Sequence, residues 1–132
     1  MKKQSALIFG ISGQDGAYLA DFLLKKNYRI FGVTRFKNNK NLIRLEKLKI
    51  KDKIKIFEAR DINLELLKKI DKNVKKLDEL YYLSGETSPI NSIKSPKQTF
   101  ESNVNNLILI LEFARTNKKR IKIFYASSSE IF

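Results

Sequence analysis

Apolar residues along this chain follow two rhythms. Short apolar runs stand at Ser5–Phe9, 28–34, Ile54–Glu58, 80–83 and 121–126, each too short for a stable helix. Between them apolar positions recur at helical spacing. Tyr18, Leu19, Phe22 and Leu23 share one face of a helix ending near Asn27, and Leu42, Leu45 and Leu48 mark a short second helix. Leu64, Leu67 and Ile70 mark a third. A longer helix spans 99–117, where Val104, Leu107, Ile108, Ile110, Leu111, Phe113 and Ala114 cover most of the circumference, which predicts burial on more than one side. The stretches 37–41 and 84–96 are polar, the latter rich in Ser, Asn and Pro, and read as loops. Strands alternating with helices predict βαβ units and a parallel sheet, hence an α/β fold. No repeat or linker divides the chain, so one domain is expected.

Composition narrows the chemistry. The 42% hydrophobic content supports a packed core. With no cysteine, disulfides and Cys-based zinc sites are excluded; with no histidine, the commonest metal ligand and serine-activating base are gone as well. No metal site is expected. No apolar run approaches the roughly 18 residues of a membrane span. Met1-Lys2-Lys3-Gln4 leads directly into the first strand without the pattern of a signal peptide, which predicts a cytoplasmic protein with no membrane partner. The net charge is +13, from 27 Lys and Arg against 14 Asp and Glu. The lysines are spread along the chain, and charge alone sets non-specific attraction, so nucleic acid is not the expected partner. A basic surface does favour an anionic nucleotide.

Candidate chemistry gathers where the strands end. Gly10, Ile11, Ser12, Gly13, Gln14, Asp15 and Gly16 form a glycine-rich turn between the first strand and the first helix. Such a turn lets backbone N–H groups approach a pyrophosphate, and the helix N-terminus adds partial positive charge. This context predicts a Rossmann-type dinucleotide-binding domain with helices on both faces of its sheet. Arg35 ends the second strand, where an acid would bind a ribose 2′-hydroxyl and an arginine suits a 2′-phosphate; Lys37 adds charge, so the cofactor is read as NADP. Two readings fit Asp61 after the third strand: an adenine contact, or the N-cap of the next helix. Leu83, Ser84, Gly85, Glu86 and Thr87 follow the fourth strand on the expected nicotinamide side. Ser128 and Glu130 follow the fifth; there a hydroxyl and a carboxylate can act as hydrogen-bond donor and acid/base, although a Ser-rich strand exit also fits a simple turn or cap.

Together these residues resemble the extended short-chain dehydrogenase/reductase superfamily through Gly10-x-x-Gly13-x-x-Gly16. Within it they resemble the GDP-mannose 4,6-dehydratase family through the run from Gly10 to Leu19, through Asp78-Glu79-Leu80-Tyr81, and through the stretch 126–132. The resemblance implies strand order 3-2-1-4-5, bound NADP and GDP-mannose as substrate. The implied reaction yields GDP-4-dehydro-6-deoxy-mannose with loss of water. Ser128 then matches the hydroxyl on the C4 oxygen and Glu130 the acid/base of the elimination. Gly10 to Asp15, Arg35, Asp61, Ile62 and Leu83 to Thr87 match cofactor contacts. The chain departs from the family at Phe36, where a second arginine is common, and no tyrosine is followed four residues later by lysine. The expectation is therefore a chain equivalent to the front of a longer, homo-oligomeric enzyme, without the sugar-binding region and with little turnover by itself. Two alternatives remain: another nucleotide-sugar epimerase or dehydratase, and a non-catalytic NADP-binding module.

Overall fold

Burial declines in steps outward from the first strand. In β1 (Ser5–Phe9) every residue is buried, as in a strand covered on both faces and flanked on both sides. β2 (Arg29–Thr34) is buried except at its first residue. β3 (Ile54–Glu58) is buried only at Ile54 and Phe57, β4 (Glu79–Tyr82) alternates, and β5 (Lys122–Tyr125) has no fully buried residue. This computed structural model describes residues 2–84, 93–100, 104–116 and 120–126. The five strands form one parallel sheet in the order β3-β2-β1-β4-β5, as the resemblance implied. In register, Leu7 lies opposite Phe31 on one side and Leu80 on the other.

Because successive strand residues point to opposite faces, β1 feeds two cores. Leu7 and Phe9 join Phe31, Val33, Phe57, Leu80 and Tyr82 under α3 (Leu64–Asn73) and the later helix α5 (Asn106–Thr116). Ala6 and Ile8 join Ile11, Ile30 and Ile54 under α1 (Gln14–Lys25) and α2 (Ile43–Lys47). Further helical segments include a 3-10 turn at Lys51–Lys53 and α4 (Pro96–Phe100).

Several boundaries and faces differ from the sequence reading. β4 begins and ends one residue early. The stretch read as one helix over 99–117 is described as α4 and α5, and α4 starts inside the stretch read as loop. The largest difference is in α1. Its buried stripe is Gly16, Ala17, Ala20 and Leu23, while Tyr18 and Phe22 are 58% and 54% exposed. The helix lies so close to the sheet that only small side chains fit beneath its first turns, and the two aromatics turn outward. In α3 the N-cap is Asn63, whose Oδ1 accepts the Leu66 N–H at 2.9 Å, so Asp61 is not the cap. In α5, Ile110 is buried but Ile108 and Leu111 are exposed, against the expectation of burial on several sides. Among the described residues only one side of that helix meets the core.

The end of the sheet opposite the glycine turn, where the strands begin, is tied by carboxylates. Asp78 accepts the Ser5 N–H at 2.9 Å and lies 3.3 Å from Lys76 Nζ, which anchors the start of β4 to β1. Its partial burial favours the neutral acid, but the Ser5 and Lys76 interactions outweigh this and hold its pKa below the usual value. Nearby, Glu79 accepts Tyr28 Oη–H at 3.1 Å and Tyr81 Oη–H at 2.7 Å. Burial, then these hydrogen bonds to a carboxylate and its charge, raise both phenols above their ordinary value. A pKa raised on folding means that the stabilisation is complete below the unfolded value of about 10 and is lost as pH rises above it. Tyr28 and Tyr81 are therefore expected to stay protonated in the folded chain beyond pH ~10 and to ionise with alkaline unfolding. An ultraviolet phenolate titration of the chain and of Tyr81→Phe checks this. Ionisation of all tyrosines together near the ordinary value, with the fold intact, would contradict it.

Candidate cofactor-binding site

The carboxyl ends of β1 to β4 open on a common cleft of about 1240 Å³. The glycine turn shapes its floor. Gly10 has φ 86°, a left-handed conformation that favours glycine. Its N–H and that of Ile11 both donate to Val33 O, at 3.1 and 3.3 Å, which pins the turn to β2. Gly13 N–H then donates to Gly10 O at 3.1 Å and reverses the chain into α1. As the N-cap, Gly13 offers no side-chain acceptor, so the first-turn N–H groups of α1 are not capped by a side chain. Behind the turn, a Cβ on Gly16 would overlap Gly10 O and lie 2.9 Å from Gly10 C. Helix and strand therefore meet backbone to backbone, which brings the helix N-terminus to the cleft.

Eight of the residues singled out in the sequence line this one cleft: Gly10, Ser12, Gly13, Arg35, Asp61, Ile62, Leu83 and Ser84. Ile11 instead sits in the core beneath it. Gln14 and Asp15, read as part of the turn, occupy the exposed first turn of α1, and Gly16 is buried behind it. Gly85, Glu86, Thr87, Ser128 and Glu130 lie outside the described residues.

The sequence reading missed several cleft groups. Arg60 and Lys94 line it alongside Arg35, so among the described residues three cations and one carboxylate, Asp61, line the cleft. That balance favours an anionic ligand. Asn41 also lines the cleft and donates through Nδ2 to Phe36 O at 3.3 Å, holding the loop after β2. Arg44, from α2, does not itself line the cleft but donates through Nη1 to the O of Ser12, which does, at 3.2 Å. Arg60 adjoins a residue already singled out, so its position was readable; Arg44 carried no local mark. Among the described residues no cluster of His, Cys, Asp or Glu could hold a metal ion, and no helix is long and apolar enough to cross a membrane.

Residues 7–132 match the protein family described as GDP-mannose 4,6 dehydratase. The GDP-mannose 4,6-dehydratase of Vibrio cholerae serotype O1 is 34% identical over 144 residues, covering all of this chain and 37% of that protein. The Drosophila melanogaster GDP-mannose 4,6 dehydratase is 34% identical over 135 residues, covering 96% of this chain and 34% of that protein. The chain thus spans little more than a third of the length of these relatives. Among solved structures, UDP-glucose 4-epimerase from Bifidobacterium longum in complex with NAD+ and UDP superposes with a TM-score of 0.79 at 20% identity, over 96% of this chain and 37% of that one. The dTDP-glucose 4,6-dehydratase of Bacillus anthracis in complex with NAD superposes with a TM-score of 0.71 at 18% identity, over 92% of this chain and 36% of that one. At these identities the two likenesses speak to the fold alone.

Proposed function

The chain belongs to the GDP-mannose 4,6 dehydratase family, within the NAD(P)-dependent epimerase/dehydratases, and from that premise we propose that residues 1–132 form the NADP-binding part of a GDP-mannose 4,6-dehydratase. The observation that carries the reading is the cationic cleft over the glycine turn. Its glycines leave room for a pyrophosphate against the backbone N–H groups of the turn, and the uncapped N-terminus of α1 favours the negative charge. Arg35, directly after Thr34, takes the 2′-phosphate; Asp61 and Ile62 border the adenine; Leu83 to Thr87 border the nicotinamide.

When bound, NADP supplies the acceptor for the C4 hydride of the sugar and its donor at C6. The Ser128 hydroxyl hydrogen-bonds the reacting C4 oxygen, and the Glu130 carboxyl moves the proton in the loss of water across C5 and C6. The reading includes a cytoplasmic, homo-oligomeric enzyme.

Titrating the chain with NADP and with NAD, by calorimetry, tests the cofactor assignment. NADP is expected to bind more tightly, and equal affinities would reject it in favour of NAD. Adding GDP-mannose to the NADP complex is expected to give no 4-keto sugar, because no tyrosine–lysine pair at four-residue spacing is present to take the C4 hydroxyl proton. Formation of that product would show that another group in these 132 residues fills the role.

A further inference from the structure

The family resemblance puts a second arginine after Arg35, and this chain has Phe36 there. The structure brings another cation, from a different element, onto a residue that lines the cleft. Arg44 stands in α2, 32 residues after Ser12 in sequence, and its Nη1 donates to Ser12 O at 3.2 Å. The Ser12 hydroxyl is hydrogen-bonded to Thr34 Oγ1 at 2.9 Å, and Thr34 is bonded directly to Arg35. Arg44 thus reaches the Ser12–Thr34 pair from α2, at the point where the glycine turn meets the end of β2, and Arg35, the next residue after Thr34, lines the cleft there.

The loop between them is held in this arrangement. Phe36 O accepts from Asn41 Nδ2 at 3.3 Å and from Thr34 Oγ1 at 3.5 Å. Asn41 N–H donates to Asn38 Oδ1 at 2.8 Å, which sets the entry to α2. Leu42 and Leu45 are buried against the α1 face of the sheet, so Arg44, between them, is presented from a fixed helix and remains exposed. Glu58, the nearby carboxylate at the end of β3, is engaged by the Lys37 N–H at 2.6 Å. Among the described residues no carboxylate pairs with Arg44. A guanidinium has five N–H donors, and one bond to Ser12 O leaves the others for a ligand.

We propose that Arg44 is a specificity-determining residue of the cofactor site, joining Arg35 on the adenosine 2′-phosphate in the place that Phe36 leaves open. The inference rests on the NADP reading above. Its bond to Ser12 O fixes the guanidinium beside the turn, so the cation is preorganised before the phosphate arrives.

The test separates charge from support of the turn. Arg44→Gln removes the charge and keeps an amide donor for Ser12 O; Arg44→Lys keeps the charge and loses the planar fork. For the full 132-residue chain, NADP and NAD dissociation constants are measured for wild type and both variants, with circular dichroism to check folding. Loss of one charge-assisted contact predicts NADP binding roughly 10- to 100-fold weaker in Arg44→Gln, with NAD binding little changed. Arg44→Lys should fall between. A purely structural Arg44 would weaken both nucleotides alike, and that outcome overturns the proposal, as does an unchanged NADP-to-NAD ratio in both variants; either leaves the NADP reading intact if wild type prefers NADP. Equal wild-type affinities for the two, or binding of neither, overturn the NADP reading and this inference with it.

Discussion

Gly16→Ala is expected to abolish dinucleotide binding and to destabilise the chain by about 3 kcal/mol or more. The added Cβ would overlap Gly10 O and crowd Gly10 C at 2.9 Å and Ile11 Cα at 3.0 Å, all of them backbone or backbone-attached atoms that cannot rotate away. Gly10 is itself held by its N–H to Val33 O and by the Gly13 N–H on its carbonyl. The strain can be relieved only by moving the start of α1 away from β1, and this displaces the N–H groups proposed to hold the pyrophosphate. Losing two such charge-assisted bonds corresponds to roughly 100-fold or more in affinity. Gly13→Ala provides the contrast. Its Cβ would meet Gly10 O at 3.4 Å, an ordinary contact, and its φ of −73° suits any residue, so a stability change under about 1 kcal/mol is expected. Thermal melts and NADP titrations of both variants check this pair. Wild-type affinity in Gly16→Ala would mean that the turn is not the phosphate cradle.

Tyr82→Ala is expected to cost about 3–5 kcal/mol, a large share of the roughly 5–15 kcal/mol that holds a typical domain together. Tyr82 is 1% exposed and ends β4 between two aromatic neighbours. Its ring lies 6.0 Å from Phe9 and is stacked 5.6 Å from Tyr125, so it links β1, β4 and β5 across the face under α3 and α5. Truncation leaves a cavity where three strands meet and loosens the edge strand β5 first, because Ile123 and Tyr125 are only partly buried there. Denaturant unfolding measures the loss, and hydrogen exchange at β5 shows where it begins. Leu83, the next residue, lines the cleft, so weaker nucleotide binding should accompany the lower stability. A change below about 1 kcal/mol would show that the site collapses around the missing ring.

The sequence by itself determined the alternation of strands and helices and the glycine turn, because these follow from local chemistry: short apolar runs, helical spacing, and glycines between them. Ser5–Phe9 and Ile54–Glu58 were legible to the residue. The strand order came with the family resemblance and not with periodicity, which says nothing about which strands are neighbours. Arg35, Asp61 and Leu83 were legible as cleft residues because each follows the end of a parallel strand, and all such ends open on the same side of the sheet.

Tertiary structure decided what depends on distance and competition. Periodicity located the helix at Gln14–Lys25 and placed Leu23 correctly, but it also chose Tyr18 and Phe22 for the inner face, where the close approach to the sheet instead puts Gly16, Ala17 and Ala20. Asp61 and Asn63 both have the chemistry of a cap, and the backbone geometry at the start of α3 selected Asn63. Arg44 looks in sequence like any other basic residue of a lysine-rich chain. Its place beside Ser12 exists because Leu42 and Leu45 bury α2 against the same face as α1, a contact between segments some thirty residues apart that no local pattern records.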